Sequence, residues 1–102
     1  MSPSREEDAA FLRQAIALAI EGVRTRKGGP FGAVVVLDDQ VVGRGCNEVL
    51  IGNDPTAHAE VQAIRDACRA RGDFVLRGAT LYASCEPCPM CLGAIQDRKS
   101  VV

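Results

Sequence analysis

The sequence holds a single histidine and no tryptophan in 102 residues. It lacks a surplus of either charge: 12 Lys and Arg face 13 Asp and Glu, for a net charge of -1. That balance points away from a basic nucleic-acid face, and no run of like charge makes a tail, so a nucleic-acid partner is not expected. The N-terminus, MSPSREEDAA, is polar and acidic, so no secretory leader is expected. The longest apolar run, AIALAI, is far too short to span a bilayer, and no membrane partner is expected. Repeats, low-complexity segments and linkers are also missing. What remains is an ordinary globular composition, 47% hydrophobic and 25% charged, in a chain long enough for one small domain. A domain of this size buries roughly 65% of its unfolded surface, so its core is feasible but thin.

Five cysteines stand out: Cys46, Cys68, Cys85, Cys88 and Cys91. An odd count without a leader implies a reducing, cytoplasmic setting. There, close cysteines more often mean metal binding or catalysis than a disulfide framework. Cys46 and Cys68 read as small buried hydrophobes.

The order of elements reads α-β-β-α-β-α. The first helix opens with Ser4 as a cap and Glu7 three residues on, the capping-box pattern. Phe11, Leu12, Ala15, Ile16, Ala19, Ile20 and Val23 then recur at helical spacing, and KGGP ends the helix. FGAVVVL is a continuous β-branched run, as in a strand buried on both faces. Asp38 and Asp39 form a two-residue turn. QVVGRGCN is the partner strand, with Gly43 and Gly45 marking a bulge or a close backbone approach. A second helix is expected from about Ala57 to Arg71, capped by Thr56 and ended by Gly72. ATLYAS is a third strand, and EPCPMCLGAI starts a third helix with prolines in its first turn.

The chemistry concentrates in HAE, at 58–60, and CEPCPMC, at 85–91. A lone histidine at a helix start is ordinarily a solvated or hydrogen-bonded residue. Glu60 has no local structural task, because the capping-box position relative to Thr56 is Ala59. The cysteines change that balance. A Cys-x-x-Cys pair at a helix start sets two sulfurs one turn apart on one face, where amide N–H groups lower thiol pKa. His58, Cys88 and Cys91 would give zinc one imidazole and two thiolates, leaving a fourth tetrahedral position open, as in catalytic sites. Cys85 sits upstream at the strand end. It could instead complete a four-ligand structural site. A thioredoxin-like redox pair is a further reading of Cys-x-x-Cys, but it leaves His58 and Glu60 unexplained.

H-x-E followed by P-C-x-x-C is the established signature of zinc nucleobase deaminases. Here it reads HAE and PCPMC. Together with GGPFGAVVV, NDPTAHAEVQAIRDAC and LYASCEPCPMCLGAI, the chain from about Phe11 to Ile95 resembles the cytidine deaminase-like superfamily, and bacterial guanine deaminases above all. The resemblance implies an α/β fold, a three-layer α-β-α sandwich with a mixed sheet, incomplete at the C-terminus. It implies Zn2+ held by His58, Cys88 and Cys91. It also implies hydrolytic conversion of guanine to xanthine and ammonia, with Glu60 relaying protons from the attacking water to the base. By position it makes Asn47 a hydrogen-bonding partner of the base and Phe31 a wall against its ring. The backbone of Ala57 and Cys88 faces the substrate, and the intact protein is a homodimer. Alternatives are deamination of cytosine or of adenosine in tRNA, whose enzymes share NDPTAHAE, and a non-catalytic zinc module built from His58, Cys85, Cys88 and Cys91.

After Gln96 the resemblance ends. The deaminase domain is expected over 1–96. DRKSVV, 97–102, is expected to be an artefact, since a sequencing adapter translates to it; the rival is a natural short chain with a polar tail. With three strands and an uncovered edge, the chain as it stands is expected to be poorly stable and inactive.

Overall fold

The structure, a computed structural model, describes residues 5–85, 90 and 91. Three strands form one sheet, and helices cover both of its faces. Helix α1, Arg5–Arg24, carries Glu6, Glu7 and Asp8 in its first turn, where the helix dipole favours negative charge. The expected cap, Ser4, lies outside the described residues. Strands β1, Gly32–Leu37, and β2, Gln40–Cys46, form a hairpin. Its turn is the expected pair: Asp38 and Asp39 have φ of 51° and 61°, the left-handed values a two-residue type I′ turn requires. In the ladder Val35 faces Gly43 while Val36 faces Val41, so Val42 is the extra residue of a bulge.

A one-turn helix α2, Val49–Gly52, follows β2 and was not expected. The next helix, α3, covers Ala59–Arg71, not Ala57–Arg71, and its cap is His58 rather than Thr56. The reason is local. The Asp54 carboxylate accepts both the Thr56 N–H, at 2.9 Å, and the Thr56 hydroxyl, at 2.7 Å. That turn holds Thr56 out of the helix. The same two bonds hold the Asp54 carboxyl below its usual pKa range. Gly72 closes α3 in the left-handed conformation, as expected, with φ 66°. Strand β3, Thr80–Ala83, completes the sheet.

The strand order is β2-β1-β3, and β1 pairs antiparallel with both neighbours. Among the described residues the sheet is therefore antiparallel, not mixed. Of the third expected helix only Met90 and Cys91 are described, and both are helical.

β1 is the centre of the molecule because it is apolar on both sides. Ala33 and Val35 face one core with Ala63, Ile64, Ala67, Leu76 and Leu81. Val34 and Val36 face the other with Phe11 and Tyr82. Those two rings sit 5.2 Å apart at a tilted angle, an arrangement worth about 1 kcal/mol beyond the area it buries. The alternation of side chains along one strand thus produces the three layers. The apolar stripe of α1 is only half used. Phe11, Ala15 and Ala19 are buried, while Leu12, Ile16, Ile20 and Val23 are exposed. Cys46 is buried and Cys68 half-buried, as small hydrophobes; burial pushes the Cys46 thiol pKa up.

Candidate active site

Antiparallel pairing brings the start of β1 beside the ends of β2 and β3. Gly32 faces Cys46, and Ala33 faces Ala83. The residues just outside the strands therefore converge: Phe31 before β1, Asn47 after β2, Ser84 and Cys85 after β3. The first turn of α3 closes over them. The result is a cavity of about 170 Å³ lined by Phe31, Gly32, Asn47, His58, Ala59, Glu60, Ser84 and Cys85.

The loop from Asn47 to His58 is tied down at several points. The Glu48 N–H donates to the Ala57 carbonyl at 2.9 Å, and the Ala57 N–H to the Asp54 carbonyl at 3.1 Å. The Gln62 side-chain amide donates to Glu48 at 3.1 Å, and Arg65 lies 3.9 Å from Asp54. These contacts fix the loop to α3. His58 then has extended backbone angles, and its carbonyl accepts the Gln62 N–H. From this cap position it lines the cavity together with Glu60.

Glu60 sits two residues on, in the first turn of α3. It is 8% exposed, and its carboxylate has no hydrogen-bond or ion-pair partner among the described residues. A buried ionisable group left in that state costs several kcal/mol unless something else engages it. Asn47, also 8% exposed, is the opposite case. Its Oδ1 accepts from the Gly29 N–H at 3.3 Å and the Val49 N–H at 3.2 Å.

The His58 Nδ1 and Cys91 Sγ atoms are 3.6 Å apart, and Cys91 is fully buried. A tetrahedral zinc with bonds of about 2.0 Å to nitrogen and about 2.3 Å to sulfur holds those two donors about 3.5 Å apart. The pair therefore fits zinc. Cys88 lies outside the described residues, and among those described no three His, Cys, Asp or Glu residues cluster for a metal. Cys85 is exposed on the cavity rim and does not complete such a cluster with His58 and Cys91.

Of the residues singled out in the sequence, the structure brings together Phe31, Asn47, His58 and Glu60, with Cys91 against His58. Ala57 stands apart. Its side chain is buried, both its backbone groups are bonded within the loop, and it is not among the described cavity-lining residues. Ser84 went unnoticed in the sequence. Its Oγ accepts the Gly32 N–H at 3.0 Å, and its N–H donates to the Gly32 carbonyl at 2.9 Å. Only the β1–β3 register, invisible in a linear reading, could have placed it there.

The family model of the cytidine and deoxycytidylate deaminase zinc-binding region matches residues 5–101. The chain belongs to this deaminase family. Guanine deaminase of Bacillus subtilis is 59% identical over 85 residues, which are 83% of this chain and 54% of that protein. The X-ray structure of that guanine deaminase superposes with a TM-score of 0.88 at 52% identity, covering 97% of this chain and 62% of the other. A tRNA-specific adenosine deaminase of Buchnera aphidicola is 44% identical over 90 residues, 88% of this chain and 55% of that protein. The chain thus spans about half the length of the curated relatives it matches. A third relative, 29% identical with a TM-score of 0.85 over 91% of this chain and 52% of its own, is solved in complex with 2,6-diaminopurine. Family membership makes zinc the cofactor of this region.

Proposed function

We propose that this chain carries the zinc site and proton-transfer residue of a hydrolytic nucleobase deaminase, and that its base is guanine, released as xanthine with ammonia. The observation that carries this reading is Glu60: a buried carboxylate, unpartnered among the described residues, lining the same cavity as His58. Its position suits a group that must alternate between protonated and ionised forms, since a fixed partner would trap one of them.

His58 and Cys91 would hold the zinc, with Cys88 as the third ligand. The metal, when bound, supplies a Lewis acid that lowers the pKa of water toward ~7. Glu60 takes a proton from the attacking water and delivers protons to the ring nitrogen and the departing amine. Guanine and water are consumed; xanthine and ammonia leave. Phe31 covers the flat face of the base and Asn47 binds its edge. A cavity of about 170 Å³ suits a single base, against the ~300–1,000 Å³ usual for drug-sized ligands.

Guanine is favoured over adenosine in tRNA by the higher identity to guanine deaminase, 59% over 85 residues against 53% over 66 and 44% over 90 for two tRNA-specific adenosine deaminases, and by the lack of basic surplus. A cytoplasmic homodimer that binds no nucleic acid belongs to the same reading. No described helix is long and apolar enough to cross a membrane. The deciding assay offers guanine, cytosine and a tRNA anticodon stem-loop in parallel to the zinc-loaded protein. Xanthine with ammonia supports guanine. Deamination of either competitor in its place overturns the choice of base, and zinc binding without any turnover reduces the site to a metal-binding module.

A further inference from the structure

The orientation of the Asn47 side chain is dictated by its surroundings. Two backbone N–H groups, of Gly29 and Val49, converge on a single atom of its amide. The oxygen and nitrogen of an amide are alike in size, but two donors admit only an acceptor, so oxygen must face the loop. The NH2 group is then the end left for the cavity that Asn47 lines. The loop achieves this by lying close. A Cβ on Gly28 would collide with the Asn47 Oδ1 and stand 2.6 Å from the Asn47 carbonyl oxygen. Only a residue without a side chain allows that approach. The Ile51 N–H, donating to the Lys27 carbonyl at 3.0 Å, and the Asn47 N–H, donating to the Phe31 carbonyl at 3.0 Å, pin the two sides of the contact.

We propose that Gly28 and Gly29 are positioning residues that lock Asn47 with its NH2 group toward the cavity, so that the site selects ligands presenting an acceptor, a carbonyl oxygen or unprotonated ring nitrogen, at that edge. The ligand half of this inference rests on the nucleobase reading above; the orientation of Asn47 does not. The loop before β1 is then part of the specificity apparatus although it touches no ligand. A ligand with a donor at that edge meets N–H against N–H and is rejected, because the amide cannot flip without breaking both bonds to the loop.

The test uses the 15N-labelled full chain with zinc present, its amide spectrum, and 8-azaguanine as probe. In wild type the Gly29 and Val49 amide protons are protected from exchange, and 8-azaguanine shifts the Asn47 side-chain NH2 signals. Asn47→Ala removes the acceptor and exposes both amides. Asn47→Asp retains an oxygen for both N–H groups, so their protection persists, but it turns an oxygen toward the ligand. Binding of 8-azaguanine then weakens ~10-fold or more, the loss of at least one hydrogen bond. Gly28→Ala, which displaces Asn47 as a whole, weakens binding at least as much. Protection of Gly29 and Val49 that survives Asn47→Ala overturns the orientation. Wild-type affinity in Asn47→Asp or Gly28→Ala overturns the selection. If the wild-type chain ignores 8-azaguanine while the protection pattern follows the variants as stated, the lock on Asn47 is upheld and the purine reading is what fails.

Discussion

Against α3 the sheet presents Gly43 and Gly45, and α3 meets them with Ala59, Ala63 and Ala67. Against α1 it presents Val34, Val36 and Tyr82, and α1 meets them with Phe11 and the small Ala15 and Ala19. The first contact is made of backbone. A Cβ on Gly43 would lie 2.7 Å from that of Ala67, and one on Gly45 would lie 2.5 Å from the Ala59 carbonyl oxygen. The second has one such approach, at Gly32, where a Cβ would collide with the Ala15 carbonyl oxygen; beyond it the contact is made of larger side chains and leaves Leu12, Ile16, Ile20 and Val23 outside. At these glycines the small residues fix position, while Val35, Ile64, Leu76 and Leu81 beside them supply the buried apolar area. Position is what the candidate site needs, because His58 and Glu60 flank Ala59, whose carbonyl oxygen is among the backbone atoms packed on Gly45. The α1 layer carries no described cavity-lining residue of that site, and its outer flank is left apolar and exposed.

If the two layers divide the work in this way, chemistry can be removed from the α3 side without loss of structure. Glu60→Gln should do so. It keeps the shape of the side chain and removes the carboxylate proposed to relay protons, so any deamination the protein performs should fall by ~10²–10⁴-fold, the usual worth of a positioned acid–base group. Zinc content should stay as in wild type and the denaturant midpoint should not fall, since the carboxylate has no partner to lose among the described residues and the neutral amide is the easier group to bury. Parallel measurement of turnover, zinc and unfolding separates the two; a lower midpoint or lost zinc would show that Glu60 holds the layer together. Gly45→Val attacks the seat itself. A branched side chain must push the start of α3 off the sheet, at about 3 kcal/mol or more. Stability by denaturant titration and zinc affinity should fall together, because the displaced turn carries His58. A change below about 1 kcal/mol would mean that the helix tolerates a wider spacing and that contact distance does not position the site.

How much of this could be seen in the sequence follows the same division. The β-branched run Val34–Val36, the Asp38–Asp39 turn and the Gly72 stop are local signals, and each is where the sequence places it. His58 and Glu60 are legible because their spacing is chemical and lies within one turn. The start of α3 was misplaced because Thr56 is a good cap in isolation, and only the competing Asp54 carboxylate removes it. α2 has four residues, too few for any period to register. The unequal use of the α1 stripe could not be read at all. Periodicity marks Leu12, Ile16, Ile20 and Val23 as apolar at helical spacing, yet says nothing about which of two flanks the sheet reaches. Ser84 and the bonds to Asn47 depend on register between strands and loops far apart in sequence, where a linear pattern has no access.

On the α1 side one tie is polar. The Tyr82 hydroxyl donates to the Asp8 carboxylate at 2.5 Å, joining β3 to the first turn of α1. Burial first, and then Asp8, Glu7 and Asp39, raise the Tyr82 pKa to about 12. The folded state thus binds this proton more tightly than the unfolded chain, whose tyrosine titrates near 10. The stabilisation is complete below pH ~10 and is lost as the pH climbs from there through about 12. Tyr82→Phe should cost about 1 kcal/mol at neutral pH and flatten that alkaline decline. Unfolding curves taken at intervals from pH 8 to 12 would show both. A variant that keeps the wild-type alkaline slope would place the titration on another group.

The smallest effect should come from the outer flank of the same helix. Ile20 is 57% exposed, the most exposed of the four outward apolar residues of α1. With Ile16, Val23 and Pro30 it lines an open apolar depression. Replacing it by lysine leaves the helix propensity nearly unchanged and lets the stem lie along the apolar surface while the ammonium reaches water. The change in stability should stay within about 0.5 kcal/mol, as for surface substitutions generally. The Phe11–Tyr82 contact beneath should be unaffected, because its rings lie on the other flank of α1. The contrast with Gly45→Val is the sharpest form of the comparison: two single substitutions, one on each side of the sheet, one adding a few atoms and the other a full charge. Steric room decides the outcome, and charge does not. Should Ile20→Lys instead cost as much as Gly45→Val, the outer flank would be a packed surface in solution, and the two layers would be equally demanding.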